Sequence, residues 1–166
     1  MEWVPTANQW LSKSPKNMSR VIERLTKAAD YGISRKDDRT ILIGALGIRA
    51  DGAVIRSRNS SANGVSPETH AEFRLSKKLN FGSVVYVARV LKSNNKWGLA
   101  RPCPNCLRIL HYRGIKKVYY TIKEGEFGTI DMKSITFPVN PTGKKLAAGA
   151  AGRWNRGSRA WPEEKC

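Results

Sequence analysis

The chain has 166 residues, 40% of them hydrophobic, which is enough for one globular domain with one core and leaves little room for a second. Its formal net charge is +17, from 30 Lys and Arg residues against 13 Asp and Glu residues, so we expect a polyanionic partner, an anionic substrate or a very soluble surface. Three cysteines are too few for a disulfide framework, and no segment is apolar enough to cross a bilayer, so a soluble, cytoplasmic protein without a membrane partner is expected.

The first part of the chain predicts one helix and one β-hairpin. Apolar residues recur at three- and four-residue steps from Asn17 to Tyr31, which is the spacing of one helical face, and Gly32 is expected to end this helix. Two apolar runs follow, separated by Asp51-Gly52, a pair that is typical of hairpin turns. The predicted strands of the hairpin are 40–48 and 53–58.

The second part of the chain predicts two further helices between strands. Ser66-Pro67 has the pattern of an N-cap followed by proline in the first turn, so a helix is expected from there to about Leu79. A second helix is expected from Pro102 to near Gly114. The predicted strands are 83–91, 116–122 and a short element around Ile130, with a turn at Asn94-Asn95.

Strands that alternate with helices in this order indicate a layered α/β domain around a mixed sheet. We assign this domain to residues 1–140. Residues 141–166 contain six basic and two acidic residues without hydrophobic periodicity, and they are expected to form a flexible basic tail.

Two short patterns carry the chemistry. His70-Ala71-Glu72 lies near the start of one predicted helix, and Pro102-Cys103-Pro104-Asn105-Cys106 lies at the start of the next. Either pattern alone is ambiguous, because a Cys-x-x-Cys pair can be a redox centre, half of a structural zinc site or two buried thiols. Together they give the order His-x-Glu, then Pro-Cys-x-x-Cys, which is the signature of zinc-dependent nucleobase deaminases.

On these residues the chain resembles the cytidine and deoxycytidylate deaminase superfamily, which also includes tRNA adenosine deaminases and polynucleotide cytosine deaminases. The run from Gly114 to Tyr120 looks most like the deoxycytidylate deaminases, and the resemblance covers roughly residues 18–135. It implies a three-layer α/β/α sandwich around a mixed sheet of about five strands. It also implies a homo-oligomer, since such assemblies are usual in that family.

The resemblance implies that His70, Cys103 and Cys106 hold Zn²⁺ and that Glu72 moves protons. Three protein ligands leave the fourth tetrahedral position of zinc open to water, which distinguishes a catalytic site from a structural one. Residues two apart are not neighbours on a regular helix, so the spacing alone does not bring Glu72 to the site of His70.

Substrate contacts are expected from several residues near these motifs. The resemblance implies that Asn59 faces the sugar of the substrate, and Ala71 lies between the histidine and the glutamate. Arginines suit phosphate because the guanidinium donates two parallel hydrogen bonds, although each could equally be part of a solvated surface. The candidate phosphate ligands are Arg56, Arg58 and Arg101, with Arg74, Lys77 and Lys78 nearby.

The function expected from these features is the deamination of cytosine in a free nucleotide such as deoxycytidylate. Deamination of cytosine in single-stranded DNA or RNA is the alternative, because the charge is high and the basic tail carries Trp154 and Trp161, which could stack on bases. A second alternative is a non-enzymatic nucleic-acid-binding module, with His111 joining Cys103 and Cys106 as in a zinc knuckle. Adenine and guanine remain open as target bases.

Overall fold

A computed structural model describes residues 15–33, 41–60 and 69–135 of the chain. The helices are α1 (Pro15–Gly32), α2 (Ala71–Ser76) and α3 (Pro104–Tyr112), with a short 3-10 helix at Met132–Ser134. The strands are β1 (Leu42–Ile48), β2 (Val54–Arg58), β3 (Val84–Val90), β4 (Trp97–Gly98), β5 (Lys117–Lys123) and β6 (Glu126–Asp131). Within these ranges, none of the helices combines the length and the apolar character needed to cross a bilayer.

The strands form one mixed sheet in the order β2-β1-β3-β5-β6, and the two-residue β4 pairs with the end of β3. Hairpins make the β1–β2 and β5–β6 pairs antiparallel, and β1 is also antiparallel to β3. The β3–β5 pair is parallel, because α3 lies between these strands in the chain and returns it to the same end of the sheet. The sheet therefore has six strands where about five were expected, and the additional one is very short.

Helices cover both faces of the sheet. In β3, alternate side chains enter different cores, because successive residues of a strand point to opposite faces. Tyr86, Ala88 and Val90 pack in the core under α1, whereas Val85 and Val87 pack in the core with residues of α2 and α3. The predicted three-layer α/β/α architecture around a mixed sheet is confirmed.

Helix α1 lies directly on the backbone of β1. A Cβ atom added at Gly44 would overlap the carbonyl oxygen of Ala28, so only glycine permits this approach. The buried residues Val21, Leu25 and Ala28 recur on one face of α1, which confirms the helix predicted from Asn17 to Tyr31.

Both site helices begin later than the sequence predicts. Helix α2 starts at Ala71 with His70 as its N-cap in an extended conformation, so the predicted position of His70 inside the helix is wrong. Helix α3 starts at Pro104 and not at Pro102. The reason is that a residue before proline avoids the helical conformation, and Cys103, with ψ of 162°, precedes Pro104. The predicted hairpin, β3, β5 and the Asn95 turn agree with the structure, while Ser66-Pro67 and residues 141–166 lie outside the described residues.

Candidate active site

His70, Cys103 and Cys106 come together between the N-terminal ends of α2 and α3. The Nδ1 atom of His70 lies 3.5 Å from the Sγ of Cys106 and 4.0 Å from the Sγ of Cys103. All three ligand atoms lie within 4.8 Å of one another, although 33 residues separate His70 from the first cysteine. The fold therefore places three potential metal ligands at one point.

The local backbone explains how the three side chains meet. His70 and Cys103 are both N-cap residues with extended ψ values of 144° and 162°, so each lies at the flank of its helix. Cys106 is the third residue of α3, and N-cap and third residues face each other at the start of a helix. Two helices that begin side by side thus each provide their N-cap residue as a potential ligand, and the first turn of α3 provides the third.

The distances fit a zinc ion, and the donor set fits one once Cys103, which is disulfide-bonded in the structure, is reduced to its thiolate. Zinc holds thiolate sulfur at about 2.3 Å and imidazole nitrogen at about 2.0 Å, which in a tetrahedron puts sulfur and nitrogen about 3.5 Å apart. The two sulfur–nitrogen distances, 3.5 and 4.0 Å, are close to this value. In the part of the chain that the structure describes, the group consists of three ligands, which is the number typical of a catalytic zinc site.

Glu72 lies against this group with its carboxyl buried. The side chain is 4% exposed, and its Oε2 atom has no hydrogen-bond partner within the described residues. Burial raises the pKa of Glu72 above its ordinary value, while a hydrogen bond with its own backbone amide and the charge of His70 act to lower it. A buried carboxyl oxygen without a partner is costly for the fold, so a ligand or water at this point would relieve that cost.

Cys106 has a strongly perturbed thiol. Burial is the main cause that raises the pKa of Cys106, and the nearby charge of Glu72 raises it further, whereas a hydrogen bond with the Phe73 backbone amide lowers it. The electrostatic influence of Glu72 on this thiol indicates that the carboxyl lies close to Cys106, the buried member of the ligand group. Binding of a metal cation at the thiol would favour the thiolate form.

Asn59 and Ala71 are both buried. The Asn59 side-chain amide donates from Nδ2 to the Ile41 carbonyl at 2.6 Å, and its Oδ1 accepts from the Ile43 amide at 3.1 Å. It therefore holds the start of β1, and its contact with the sugar of a substrate stays a prediction. Ala71 is the first residue of α2 and is fully buried, so its side chain offers no exposed surface to a ligand.

The candidate phosphate ligands divide into two groups. Arg56 and Arg58 line a cavity of about 360 Å³ at the edge of the sheet, and none of the three potential metal ligands lines it. Arg56 pairs across the strands with Leu46, which belongs to the core under α1, so its side chain is on the sheet face opposite α2 and α3. Arg101 is exposed, precedes the cysteine motif and lies near Tyr120, outside that cavity.

Sequence reasoning missed the residues of α1 that border this edge. Tyr31 lines the same cavity, and its ring lies 5.9 Å from the guanidinium of Arg58. Arg20, Arg24 and Lys27 line a neighbouring cavity of about 330 Å³. The sequence could have indicated this basic surface, because spacings of four and three residues place all three side chains on one face of α1.

His111, the proposed knuckle ligand, is not part of the ligand group. It is exposed in the last turn of α3, and its ring packs edge-on against Tyr112. The nine-residue helix between Pro104 and Tyr112 carries it away from the cysteines. The structure thus pairs the cysteines with His70.

Comparisons with known proteins find a likeness in structure and none in sequence. No family model matches the sequence, and no curated protein matches it. Among solved structures, the chain is similar to a cytidine deaminase from Burkholderia pseudomallei, with 20% sequence identity and a TM-score of 0.46. The match covers 69% of this chain and 91% of that one. At this level of likeness no activity is transferred, and the side-chain geometry is what bears on function.

Proposed function

We propose that this protein is a zinc-dependent hydrolytic deaminase that converts cytosine to uracil in a free nucleotide such as deoxycytidylate. The observation that carries the proposal is the convergence of His70, Cys103 and Cys106 beside a buried glutamate whose Oε2 has no partner among the described residues. The three ligands would hold Zn²⁺, which when bound lowers the pKa of a water toward neutrality and so supplies a nucleophile.

Glu72 would carry the protons of the reaction. Hydrolytic deamination needs a group that moves two protons away from the attacking water, the first to a ring nitrogen and the second to the amino group, which then leaves as ammonia. A carboxyl whose pKa is raised by burial is suited to both steps, because its protonated and ionised forms lie closer in energy near neutral pH. The unpartnered Oε2 is the atom at which we place this proton.

Cytosine in single-stranded DNA or RNA is the second candidate substrate. The observation in its favour is the net charge of +17 together with the cluster of exposed basic residues at the β2 edge of the sheet. Both candidates use the same deamination chemistry and differ only in what carries the base.

The deciding experiment is product analysis by mass spectrometry. Zinc-loaded protein is incubated with deoxycytidine, deoxycytidylate, the triphosphate and a cytosine-containing single-stranded oligonucleotide, beside the Glu72→Ala variant. We expect ammonia release with a mass increase of about one dalton, and a loss of at least ~100-fold in rate for Glu72→Ala with its zinc content unchanged. A variant that retains a near wild-type rate would contradict the role of Glu72.

The substrates separate the two candidates. Conversion of the monomer nucleotides supports a free nucleotide as substrate, and conversion of the oligonucleotide alone supports the polymer. If no cytosine substrate reacts while zinc is bound, the proposal of cytosine deamination is wrong, and the structural role of zinc gains support.

A further inference from the structure

Basic side chains from three elements line a continuous surface along the edge strand β2. One cavity there, of about 360 Å³, is bordered by Tyr31 of α1, by β2 and by the end of α2. A second cavity, of about 330 Å³, adjoins it, because Arg56 lines both. We call this surface the basic edge groove. Apart from Lys27, which pairs with Glu23, its cations are Arg20, Arg24, Arg56, Arg58, Arg74, Lys77 and Lys78.

Carboxylates offset only a small part of the charge of the groove. The first cavity is lined by five cations and no acidic residue, and none of these cations forms an ion pair within the ranges that the structure describes. Glu23, on the second cavity, is already paired with Lys27 at 2.8 Å. Clustered cations without counter-charges repel one another, so a bound polyanion would stabilise this surface.

Several of the groove cations are held in place. The Nη1 atom of Arg74 donates to the backbone carbonyl of Arg58 at 2.8 Å. The guanidinium of Arg58 lies over the ring of Tyr31 at 5.9 Å, and the ammonium of Lys77 lies over the ring of Phe73 at 4.9 Å. Because these contacts orient the side chains while they remain exposed, less conformational entropy is lost when they bind phosphate.

The extent of the groove exceeds what one nucleotide needs. A phosphate monoester carries at most about two negative charges, whereas the groove offers seven cations along two adjoining cavities. A chain of phosphates fits this arrangement better than a single one. The groove and the candidate active site are connected through α2, because Glu72 in its first turn is buried at the site and Lys77, about 7.5 Å further along the helix axis, is exposed in the groove.

We propose that the basic edge groove binds the phosphate backbone of single-stranded nucleic acid. The choice of a single strand rests on the second candidate substrate of the proposed function, cytosine in single-stranded DNA or RNA, since a base can reach a buried glutamate only when it is not stacked and paired in a duplex. The binding itself does not depend on deamination, and this separates the two proposals experimentally.

The test measures the affinity of the full chain for a fluorescent thymine homopolymer of about 15 nucleotides by anisotropy. Thymine has no exocyclic amino group, so binding is read without chemistry. The groove variant is Arg56→Gln with Lys78→Gln, which keeps much of each side-chain stem while removing two charges. The matched control is Lys96→Gln with Lys133→Gln, which removes two exposed charges outside the groove.

We expect the groove variant to raise Kd at least tenfold and to reduce the slope of log affinity against log salt by about 1.4, since each phosphate contact on a single strand contributes about 0.7. The control should change Kd less than about threefold. Equal losses in the two variants would show that only net charge matters and would overturn the proposal. Equal or tighter binding of a duplex of the same length would overturn the assignment to a single strand.

Discussion

Two buried polar side chains of this fold, Thr121 and Glu72, differ in whether their polar atoms have hydrogen-bond partners. The hydroxyl of Thr121 is completely satisfied, because it accepts from the Arg89 amide at 3.1 Å and donates to the Gly98 carbonyl at 2.7 Å. Glu72 is buried to a similar degree, yet its Oε2 has no partner within the described residues. The first arrangement stabilises the sheet, and the second leaves a buried carboxyl oxygen open to a ligand at a cost in stability.

The role of Thr121 can be measured by removing its hydroxyl. Thr121→Val keeps the shape of the side chain but deprives the Arg89 amide and the Gly98 carbonyl of this bond in a fully buried position. We expect the free energy of unfolding to fall by about 1–3 kcal/mol, measured by urea denaturation. Thr26→Val is the control, because the Thr26 hydroxyl bonds to the Ile22 carbonyl on the exposed surface of α1 and should change stability by less than about 0.5 kcal/mol. Equal effects would mean that the buried hydroxyl adds nothing to the sheet.

The sequence predicted which residues form the candidate site better than it predicted their geometry. The order of His70, Glu72 and the two cysteines was enough to nominate them, because few chemistries need those residue types together. It could not place Glu72 beside His70, since residues two apart diverge on a regular helix. The extended N-cap conformation of His70 removes that obstacle, and such a conformation depends on where the helix begins.

At the scale of elements, periodic patterns were reliable and helix starts were not. The stripe of apolar residues in α1 reflects burial on one face, and the continuous apolar, β-branched run in β3 reflects burial on both, so both elements could be predicted from the sequence. The start of α3 depended on the choice between Pro102 and Pro104, either of which can occupy the first turn of a helix. The two-residue β4 is too short to give any periodic signal.

The contact between α1 and β1 predicts a strong effect of one small substitution. In Gly44→Ala, the added methyl would overlap the Ala28 carbonyl, so the backbone of the helix or the strand must move. We expect a loss of about 3 kcal/mol in the free energy of unfolding, at the upper end of the usual cost of overpacking.

Gly52→Ala provides the comparison for that substitution. A Cβ at Gly52 meets no atom within 4 Å, and its cost comes only from the positive φ of 88° in the hairpin turn. That strain is worth on the order of 1 kcal/mol. If chemical denaturation finds Gly44→Ala no more harmful than Gly52→Ala, then α1 does not rest on β1 as closely as the structure indicates.

At the scale of the molecule, composition established the charge but not its location. Residues 141–166 account for +4 of the net charge of +17, so most of it lies in the rest of the chain, where it was compatible with an anionic partner, an anionic substrate or general solubility. Five of the six basic residues flanking the motifs meet in one cavity because α2 ends beside the edge strand β2, while Arg101 lies elsewhere. Such a meeting depends on the path of the chain between strands and leaves no local pattern in the sequence.

The ligand group also predicts a property of the whole fold. His70 is the N-cap of α2, and Cys103 and Cys106 are the N-cap and third residue of α3, so a zinc ion held by all three would link two helices that begin side by side. Ligands that bind only the folded state stabilise it by about 4 kcal/mol when present at roughly 1,000 times their Kd. We therefore expect removal of zinc from the reduced protein by a chelator to lower Tm by on the order of 10 °C.

Serine variants show whether that loss arises at the proposed ligands. Cys103→Ser and Cys106→Ser should each reduce bound zinc, measured by elemental analysis, and should make Tm insensitive to the chelator, because serine is a poor zinc ligand. Cys166→Ser is the matched control. It should still bind zinc and should still lose Tm when the chelator is added, since a catalytic zinc site needs only the three protein ligands His70, Cys103 and Cys106. Loss of zinc in the Cys166 variant would instead indicate four protein ligands, which closes the position that water needs and favours a structural zinc over a deaminase.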